Sequence, residues 1–307
     1  QMKYSNINHR LSKIIHKPNS YLHLLAVMKT RCQWSHRIAP YSWTDDKYWL
    51  EYYFLKHFTS RLDLKNPKTF NEKIQWMKLN DRNPLYTKLA DKYLVRDYVK
   101  EKIGLEYLNK LFSVYNKTED IIIEKLNCPC VLKPNHGAGW VVFYDNTELF
   151  NKADAFNSLN IWLRTNFYER YREWQYKNIE PKILVEEKLT SNSTLGLLDY
   201  KFFCFYGEPQ LIQVNIDRFS NFSLLFLDMD WNQLPLSLEH YPRSEKVIPK
   251  PKNLKGMVEI AKELSKGLPF CRVDLYDIGD KIIFSEMTLT PNAGFLKFHP
   301  EEYDINL

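Results

Sequence analysis

The sequence predicts an α+β protein in which a helical N-terminal region precedes a strand-rich remainder of two lobes. Two observations lead to this prediction. Apolar residues recur with helical spacing in the first third of the chain, and short apolar runs separated by turn residues dominate after about residue 105. With 307 residues the chain is long enough for about two domains. Only nine of these residues are glycine, which excludes collagen-like and low-complexity classes.

The N-terminal region is predicted to contain three helices. The first covers residues 45–57 and the second covers 69–80, where the segment Thr69 to Glu72 matches a capping box. A third and longer helix is predicted from Pro84, a residue favoured at the first helical position, to Gly104, a favoured helix stop.

The remainder is predicted to alternate strands with two helices. Helices are expected at 151–168 and 253–266, strands at 130–134, 140–144 and 182–189, and hairpins at 202–216 and 272–288. The chain thus divides into four parts: a basic helical extension (1–60), a helical region (61–115), an N-terminal lobe (116–190) and a C-terminal lobe (191–307).

Positive charge is concentrated at the start of the chain. Residues 1–44 contain seven Lys and Arg and no acid, whereas the remainder is close to neutral. Such a segment is either a solvated basic terminus or a contact for an anionic surface, that is, membrane lipid, an acidic polymer or nucleic acid. No nucleic-acid-binding signature accompanies it, so we predict peripheral membrane contact through residues 1–44 and no nucleic-acid partner.

The sequence also predicts a cytoplasmic protein, peripheral at the inner membrane face. Its longest apolar stretch, residues 21–28, is far shorter than the roughly 18 residues that span a bilayer. Five scattered cysteines favour buried thiols over a disulfide framework or a zinc site.

The predicted second hairpin brings four functional side chains together. A three-residue loop centred on Gly279 places Asp277 opposite Lys281 and therefore Asp274 opposite Phe284. Asp274 and Glu286 then become diagonal neighbours that can converge on one cation.

Strand alternation puts Arg272 and Thr288 on the same face as these two carboxylates. Arginine in this position would meet phosphate or carboxylate oxygens. The alternative is a solvent-facing strand surface with unrelated charges, and a one-residue shift in register would separate the carboxylates.

A lysine followed by two close glycines forms a second candidate site. Lys133 ends a strand, and the loop from His136 through Gly137 to Gly139 follows it. Closely spaced glycines let backbone N–H groups approach phosphates, and the lysine adds a positive charge. The alternative interpretation is a tight hairpin turn.

Polar residues also mark the ends of three further strands. Glu186 and Glu187 end an apolar strand, Asp199 and Lys201 begin the next, and Arg218 follows the returning one. Each is compatible with ordinary strand-end polarity, but together they supply acceptors for a ribose and cations for phosphates.

The serial order of these pieces resembles the ATP-grasp superfamily and, more closely, the TupA-like ATP-grasp proteins of teichuronopeptide, capsule and O-antigen gene clusters. The matching blocks span residues 69 to about 300 and read TFNEKIQWMKL, LADKYLVRDYV, VLKPNHGAGW, DYKFFCFYGEP and RVDLY…SEMTLTP. The resemblance implies an ATP-grasp fold, with two α+β lobes gripping ATP.

The resemblance also implies a role for each candidate residue. The implied ATP-binding residues are Lys92, Lys133, His136, Gly137, Gly139, Glu186, Glu187, Leu189 and Asp199, with Glu186 and the backbone of Glu187 and Leu189 at the adenine and Asp199 at the ribose. The implied catalytic residues are Arg272, Arg218 and Lys201. The implied Mg²⁺ ligands are Asp274, Glu286 and Thr288, where Thr288 replaces the asparagine of many relatives.

The function implied is ATP-dependent formation of an amide. A uronic acid carboxylate of a bacterial surface polysaccharide or its precursor would be activated as an acyl phosphate and then attacked by an amino acid. ATP and Mg²⁺ are the implied cofactors. The alternatives are a sugar-binding scaffold of the capsule machinery without catalysis, and an ATP-dependent sugar kinase or glycosyltransferase.

Overall fold

A computed structural model describes residues 45–145, 150–191, 193, 195–217 and 221–307. Residues 1–44, which carry the predicted basic extension, and Arg218 lie outside the described residues. The chain divides into two compact units, residues 1–67 and 68–307. Helix α1 (Asp46–Phe58) belongs to the first unit and confirms the predicted helix; the Asp45 side chain caps it by accepting from the N–H of Lys47 at 2.9 Å.

The second unit begins with α2 (Phe70–Asn80), which confirms the predicted helix and its capping box. The Thr69 hydroxyl accepts from the N–H of Glu72 at 3.2 Å, and the Glu72 carboxylate accepts from the N–H of Thr69 at 3.1 Å. Two donors at the helix start are therefore satisfied.

The single long helix predicted for 84–104 is wrong, because the chain breaks at Asp91. It forms α3 (Leu85–Ala90) and α4 (Val95–Lys102) instead. The Asp91 carboxylate accepts from the N–H groups of Tyr93 at 2.8 Å and Leu94 at 3.3 Å. Aspartate competes in this way with helical hydrogen bonds, so it favours a new helix start.

The first of two large sheets is antiparallel and has the order β1-β4-β2-β3. Its strands are β1 (Leu111–Tyr115), β2 (Cys130–Pro134), β3 (Val142–Tyr144) and β4 (Ile183–Glu187). Strand β1 departs from the helical character predicted for 61–115. Alternate side chains, among them Leu132 and Val185, form one core with Leu159 of α5 (Lys152–Arg164), while the other face carries Lys133 and Glu186.

The second large sheet is also antiparallel and has the order β10-β9-β5-β6-β7. Its strands are β5 (Asp199–Phe205), β6 (Glu208–Ile216), β7 (Ser223–Leu227), β9 (Phe270–Asp277) and β10 (Ile282–Thr288). The remaining elements are the helices α6 (Tyr168–Tyr171), α7 (Leu254–Ser265) and α8 (Glu302–Asn306) and the pair β8 (Ser237–Leu238) and β11 (Phe298–His299).

The two faces of the second sheet differ in polarity. One face buries Phe202, Val273 and their neighbours against α7 in the largest apolar core. The opposite face is apolar only at one end, where Phe203 and Phe226 pack with Phe70 of α2. The middle of that face is polar, and it positions the candidate site.

Both predicted hairpins are present, but the register predicted for the second hairpin is wrong. Asp277 pairs with Ile282 rather than with Lys281, and Asp274 pairs directly with Glu286. The loop is one residue longer than predicted, which by itself would turn Glu286 to the opposite face. A bulge between Phe284 and Glu286 compensates for this, so the two carboxylates still share a face.

Within the described residues, no helix combines the length and apolar character that a membrane crossing requires.

A buried asparagine ties the C-terminal segment to α2. Asn71 is fully buried; its amide donates to the carbonyl of Leu296 at 2.7 Å and to Asp304 at 2.8 Å, and its side-chain oxygen accepts from the N–H of Leu296 at 2.9 Å. One side chain thus satisfies both backbone groups of Leu296.

We expect Asn71→Ala to lower the free energy of unfolding by about 2–4 kcal/mol, because it leaves buried backbone groups and a carboxylate without partners. Chemical denaturation measures the change. Asn80→Ala, on the exposed end of the same helix, is the control and should change stability by less than about 0.5 kcal/mol. Equal effects of the two substitutions would contradict the anchoring role of Asn71.

Candidate active site

A row of polar side chains crosses the second sheet at the middle of its polar face. Lys201 of β5 pairs with Asp274 of β9, which pairs with Glu286 of β10, and Gln213 of β6 lies opposite Lys201 on the other side. Because directly paired residues point to the same face, all four side chains project together. Gln213 and its neighbour on this face, Asn215, were not predicted; the alternation in the strand QLIQVNI is the signal that points to them.

Asp274 is the most buried member of this row and holds two cations. Arg272 donates from Nε to Oδ1 and from Nη2 to Oδ2, both at 2.7 Å, and the Lys201 ammonium also contacts Oδ2. Burial raises the pKa of Asp274, and the charges of Arg272 and Lys201 oppose that shift. Burial alone would lower the pKa of Arg272, but the carboxylates around it reverse the effect and raise it.

The predicted catalytic residues Lys201 and Arg272 are therefore both engaged with carboxylates. Lys201 bridges Asp274 and Asp199, the latter at 2.7 Å, and its side chain is 5% exposed. Arg272 Nη2 also donates to Thr288 at 3.0 Å and to Glu286 at 3.4 Å. Through these contacts both cations orient the acidic groups, and their catalytic roles stay predictions.

The predicted Mg²⁺ ligands Asp274, Glu286 and Thr288 are brought together on neighbouring strands. Their oxygens are the hard donors that Mg²⁺ prefers, and Mg²⁺ commonly uses only one or two protein carboxylates together with substrate phosphates. Glu286, with a side chain 28% exposed, is the more accessible carboxylate. No cluster of three or more His, Cys, Asp or Glu with metal-binding geometry occurs in the described part of the chain.

Lys92 reaches the same region from the helix break at Asp91. Its ammonium lies 3.9 Å from Glu286 Oε2 and donates to the carbonyl of Gly137 at 2.5 Å. Burial lowers the pKa of Lys92, the Lys133 charge acts in the same direction, and Glu286 opposes both. Lys92 thus lies among groups from both sheets.

A fully buried asparagine fixes Lys92 in this position. Asn135 donates through Nδ2 to Asp91 at 2.9 Å, and its backbone carbonyl accepts from the N–H of Lys92 at 3.0 Å. The Asn135 side-chain oxygen also accepts from the N–H of Lys182 at 2.7 Å. The helix break is therefore bound to the first sheet.

The glycine loop follows β2, and its histidine is an anchor. His136 is buried, and Nε2 lies 3.0 Å from the carbonyl of Trp162 at the end of α5. Burial lowers the pKa of His136, which favours the neutral ring donating to that carbonyl. In this arrangement the His136 side chain holds the loop against α5, and the binding of ATP by the loop from His136 to Gly139 stays a prediction. Gly137 lies under Trp140, whose ring a Cβ there would meet at 2.5 Å.

Lys133 and Glu186 form an ion pair on the polar face of the first sheet. Lys133 Nζ lies 2.7 Å from Glu186 Oε2, and Arg96 Nη1 lies 3.5 Å from Oε1. The sequence motif around Lys92 contains Arg96, but its contact with Glu186 was not predicted. Lys133 has a side chain 22% exposed, so it is accessible to a ligand.

Three further residues were predicted to bind ATP, namely Glu187, Leu189 and Asp199. The N–H of Glu187 donates to the carbonyl of Lys110 at 3.0 Å, and the Glu187 carbonyl accepts from Asn109 at 2.9 Å, so both backbone groups already have protein partners. Leu189 lies just beyond β4, and Asp199 is almost fully buried against Lys201.

Two antiparallel sheets, a glycine loop flanked by lysines and a paired Asp and Glu on neighbouring strands are typical of ATP-grasp proteins. The chain belongs to the TupA-like ATP-grasp family, whose model matches residues 72–307. Membership confirms the predicted family and the predicted α+β ATP-grasp fold. ATP-grasp proteins are ATP-dependent ligases, and the predicted cofactors ATP and Mg²⁺ are those of this class.

Solved structures of ATP-grasp ligases are also similar to the chain. D-alanine–D-alanine ligase from Bacillus anthracis is 16% identical, with 66% of this chain and 56% of that chain covered and a TM-score of 0.38. The Helicobacter pylori enzyme is 16% identical, with coverages of 67% and 55% and a TM-score of 0.36. The ligase PsnB, solved with a phosphomimetic variant of its minimal precursor, Mg and ADP, is 11% identical, with coverages of 77% and 61% and a TM-score of 0.38.

The chain therefore spans less than two thirds of the length of each of these structures. No curated protein sequence matches it significantly.

We expect Lys133→Ala to weaken Mg-ATP binding about tenfold, which corresponds to about 1.4 kcal/mol, because it removes an accessible cation next to the glycine loop. Calorimetry measures the dissociation constant. Lys152→Ala is the control, since it removes a lysine from the exposed ion pair with Glu124. An unchanged dissociation constant in Lys133→Ala would count against the nucleotide site.

Proposed function

We propose that this protein is an ATP-dependent ligase that joins a carboxylate to an amine. The observation that supports the proposal best is the 3.9 Å distance between Lys92 Nζ and Glu286 Oε2, since it places a cation next to a carboxylate of the predicted Mg²⁺ site. Phosphoryl transfer depends chiefly on positioning and on cations that offset the charge of the moving group.

In the proposed reaction, Lys92 and Lys133 bind the phosphates of ATP, and Glu286 with Asp274 would hold Mg²⁺. The metal would supply additional charge neutralisation at the phosphates. An oxygen of the substrate carboxylate attacks the terminal phosphorus, the bond from that phosphorus to the ADP oxygen breaks, and an acyl phosphate forms. The amine then attacks the acyl carbon, loses a proton, and displaces inorganic phosphate. Arg272 and Lys201 keep the Asp274 carboxylate oriented throughout.

The proposed carboxylate is a uronic acid of a bacterial surface polysaccharide or of its precursor, and the proposed amine is an amino acid. Support comes from the five sequence blocks that resemble proteins of teichuronopeptide, capsule and O-antigen gene clusters, one of which, RVDLY…SEMTLTP, carries the acidic pair. Family membership supports the ligase class more generally.

The decisive experiment screens uronic acids, free and nucleotide-linked, against the amino acids with Mg-ATP. ADP release that requires both partners, with the amide confirmed by mass spectrometry, is the expected result. Phosphate found stably on a sugar hydroxyl would instead indicate a kinase, and ADP release with no amide formed in any pairing would exclude the ligase. Absence of Mg-ATP binding at millimolar nucleotide would favour the non-catalytic scaffold.

We expect Glu286→Gln to reduce turnover at least about 100-fold with little loss of stability, because its side chain is partly exposed and it is an accessible oxygen ligand. Asp274→Asn should also abolish turnover, but it should lower the free energy of unfolding by about 3–5 kcal/mol, since two buried cations lose their counter-charge. Turnover assays at saturating Mg²⁺, paired with denaturation curves, separate the two effects. Wild-type turnover in Glu286→Gln would refute the metal assignment.

We further propose peripheral membrane contact through residues 1–44. Seven cations without an acid favour an anionic lipid surface, at about 1 kcal/mol for each cation that faces it. Full-length protein should therefore float with vesicles containing anionic lipid at low salt and be released at high salt, whereas protein lacking residues 1–44 should not float. Equal flotation of both proteins would show that the charge asymmetry has another cause.

A further inference from the structure

A lysine buried in the core behind the candidate site has no part in the proposed reaction. Lys78 of α2 is 2% exposed, and its ammonium donates to Gln75 Oε1 and to the carbonyl of Ala293, both at 2.8 Å. It also lies 5.1 Å from the centre of the Phe295 ring. Burying an ammonium is unfavourable unless hydrogen bonds and counter-charge compensate. The groups that bind the Lys78 ammonium therefore indicate its structural role.

The backbone that Lys78 holds has an unfavourable conformation. In the 3₁₀ turn Pro291–Gly294, the consecutive residues Asn292, Ala293 and Gly294 have φ values of +46°, +56° and +72°. Left-handed backbone is unfavourable at a residue other than glycine, and it persists only where its surroundings impose it.

Helix α2 imposes that conformation through two side chains. Gln75 donates to the carbonyls of Ala293 at 3.0 Å and Gly294 at 2.7 Å, so Ala293 accepts from both Gln75 and Lys78. The packing is close enough that a Cβ at Gly294 would lie 2.5 Å from Gln75 Nε2. The turn is therefore held against the helix by hydrogen bonds and by shape.

The turn directly follows the strand that carries the acidic pair. Only Leu289 and Thr290 separate it from Thr288 at the end of β10. The Thr290 hydroxyl donates to Glu173 at 2.5 Å and accepts from Gln175 at 2.7 Å. Burial raises the pKa of Glu173, and the Lys78 charge opposes that shift, so the ammonium also supports the ionised form of this carboxylate.

We propose that Lys78 is a positioning residue, which fixes the end of β10 by holding the turn 291–294 that directly follows Thr290. This inference rests on the proposed function. Its consequence is that Lys78 affects how well Glu286 and Thr288 are placed to bind Mg²⁺ together with the nucleotide.

The test compares Lys78→Met with Lys73→Met, which makes the same change at an exposed position of the same helix. Calorimetry measures the affinity for ADP with Mg²⁺ and with EDTA. In Lys78→Met we expect the affinity for ADP in EDTA to stay within about twofold of wild type. The factor by which Mg²⁺ raises the affinity for ADP should be about tenfold smaller than in wild type. Turnover with a substrate pair found in the screen should fall by a similar factor, with KM for ATP nearly unchanged.

A second variant keeps the test decisive if Lys78→Met fails to fold. Thr290→Val preserves shape while removing the hydroxyl that links β10 to Glu173, and it should show a smaller loss of the same kind. If Mg²⁺ raises the affinity for ADP as much in the variant that folds as it does in Lys73→Met, the inference is overturned. Failure of the wild-type protein to bind Mg-ADP would instead refute the proposed function.

Discussion

The buried carboxylate of Asp274 is the interaction on which the organisation of the second sheet's polar face depends. A fully buried aspartate cannot stay ionised without counter-charge, and it receives that charge from Arg272 on its own strand and Lys201 on the neighbouring strand. Arg272 then reaches across to Glu286 and Thr288 on β10. Three strands are thus connected through the Asp274 carboxylate. The hydrogen bonds that this carboxylate requires orient Arg272, and Arg272 in turn orients Glu286 and Thr288.

A second constraint brings the helical segment to the sheets. Asp91 ends α3, and Asn135 binds both the Asp91 side chain and the backbone of Lys92. These two hydrogen bonds hold the break between α3 and α4 against the first sheet. Lys92 therefore lies near Glu286 because capping by Asp91 ends the helix and Asn135 fixes the position of the break.

Much of the fold could be predicted from local signals, whereas the geometry of the site could not. The Thr69 capping box and the two hairpins follow from residue types at short spacing, and the structure contains them. The break at Asp91 has a local cause in the turn that its carboxylate caps, but the contact that binds the break to the first sheet comes from Asn135, 44 residues away, so no local pattern shows where Lys92 lies. The pairing of Asp274 with Glu286 depends on a bulge that offsets an extra loop residue; sequence spacing indicated the shared face but not the direct pairing. The sequence indicated His136 as part of the glycine loop, but not its contact with the distant carbonyl of Trp162.

Two tryptophan rings stack next to the glycine loop. The indole rings of Trp140, which lies just after the loop, and Trp162, near the end of α5, are stacked at 5.9 Å between centroids and only 6° from parallel. Two chromophores at that separation and orientation couple electronically, and the coupling is sensitive to small changes in the separation or in the angle between the rings. The near-ultraviolet spectrum of the protein therefore contains an intrinsic signal of the loop's position relative to that helix.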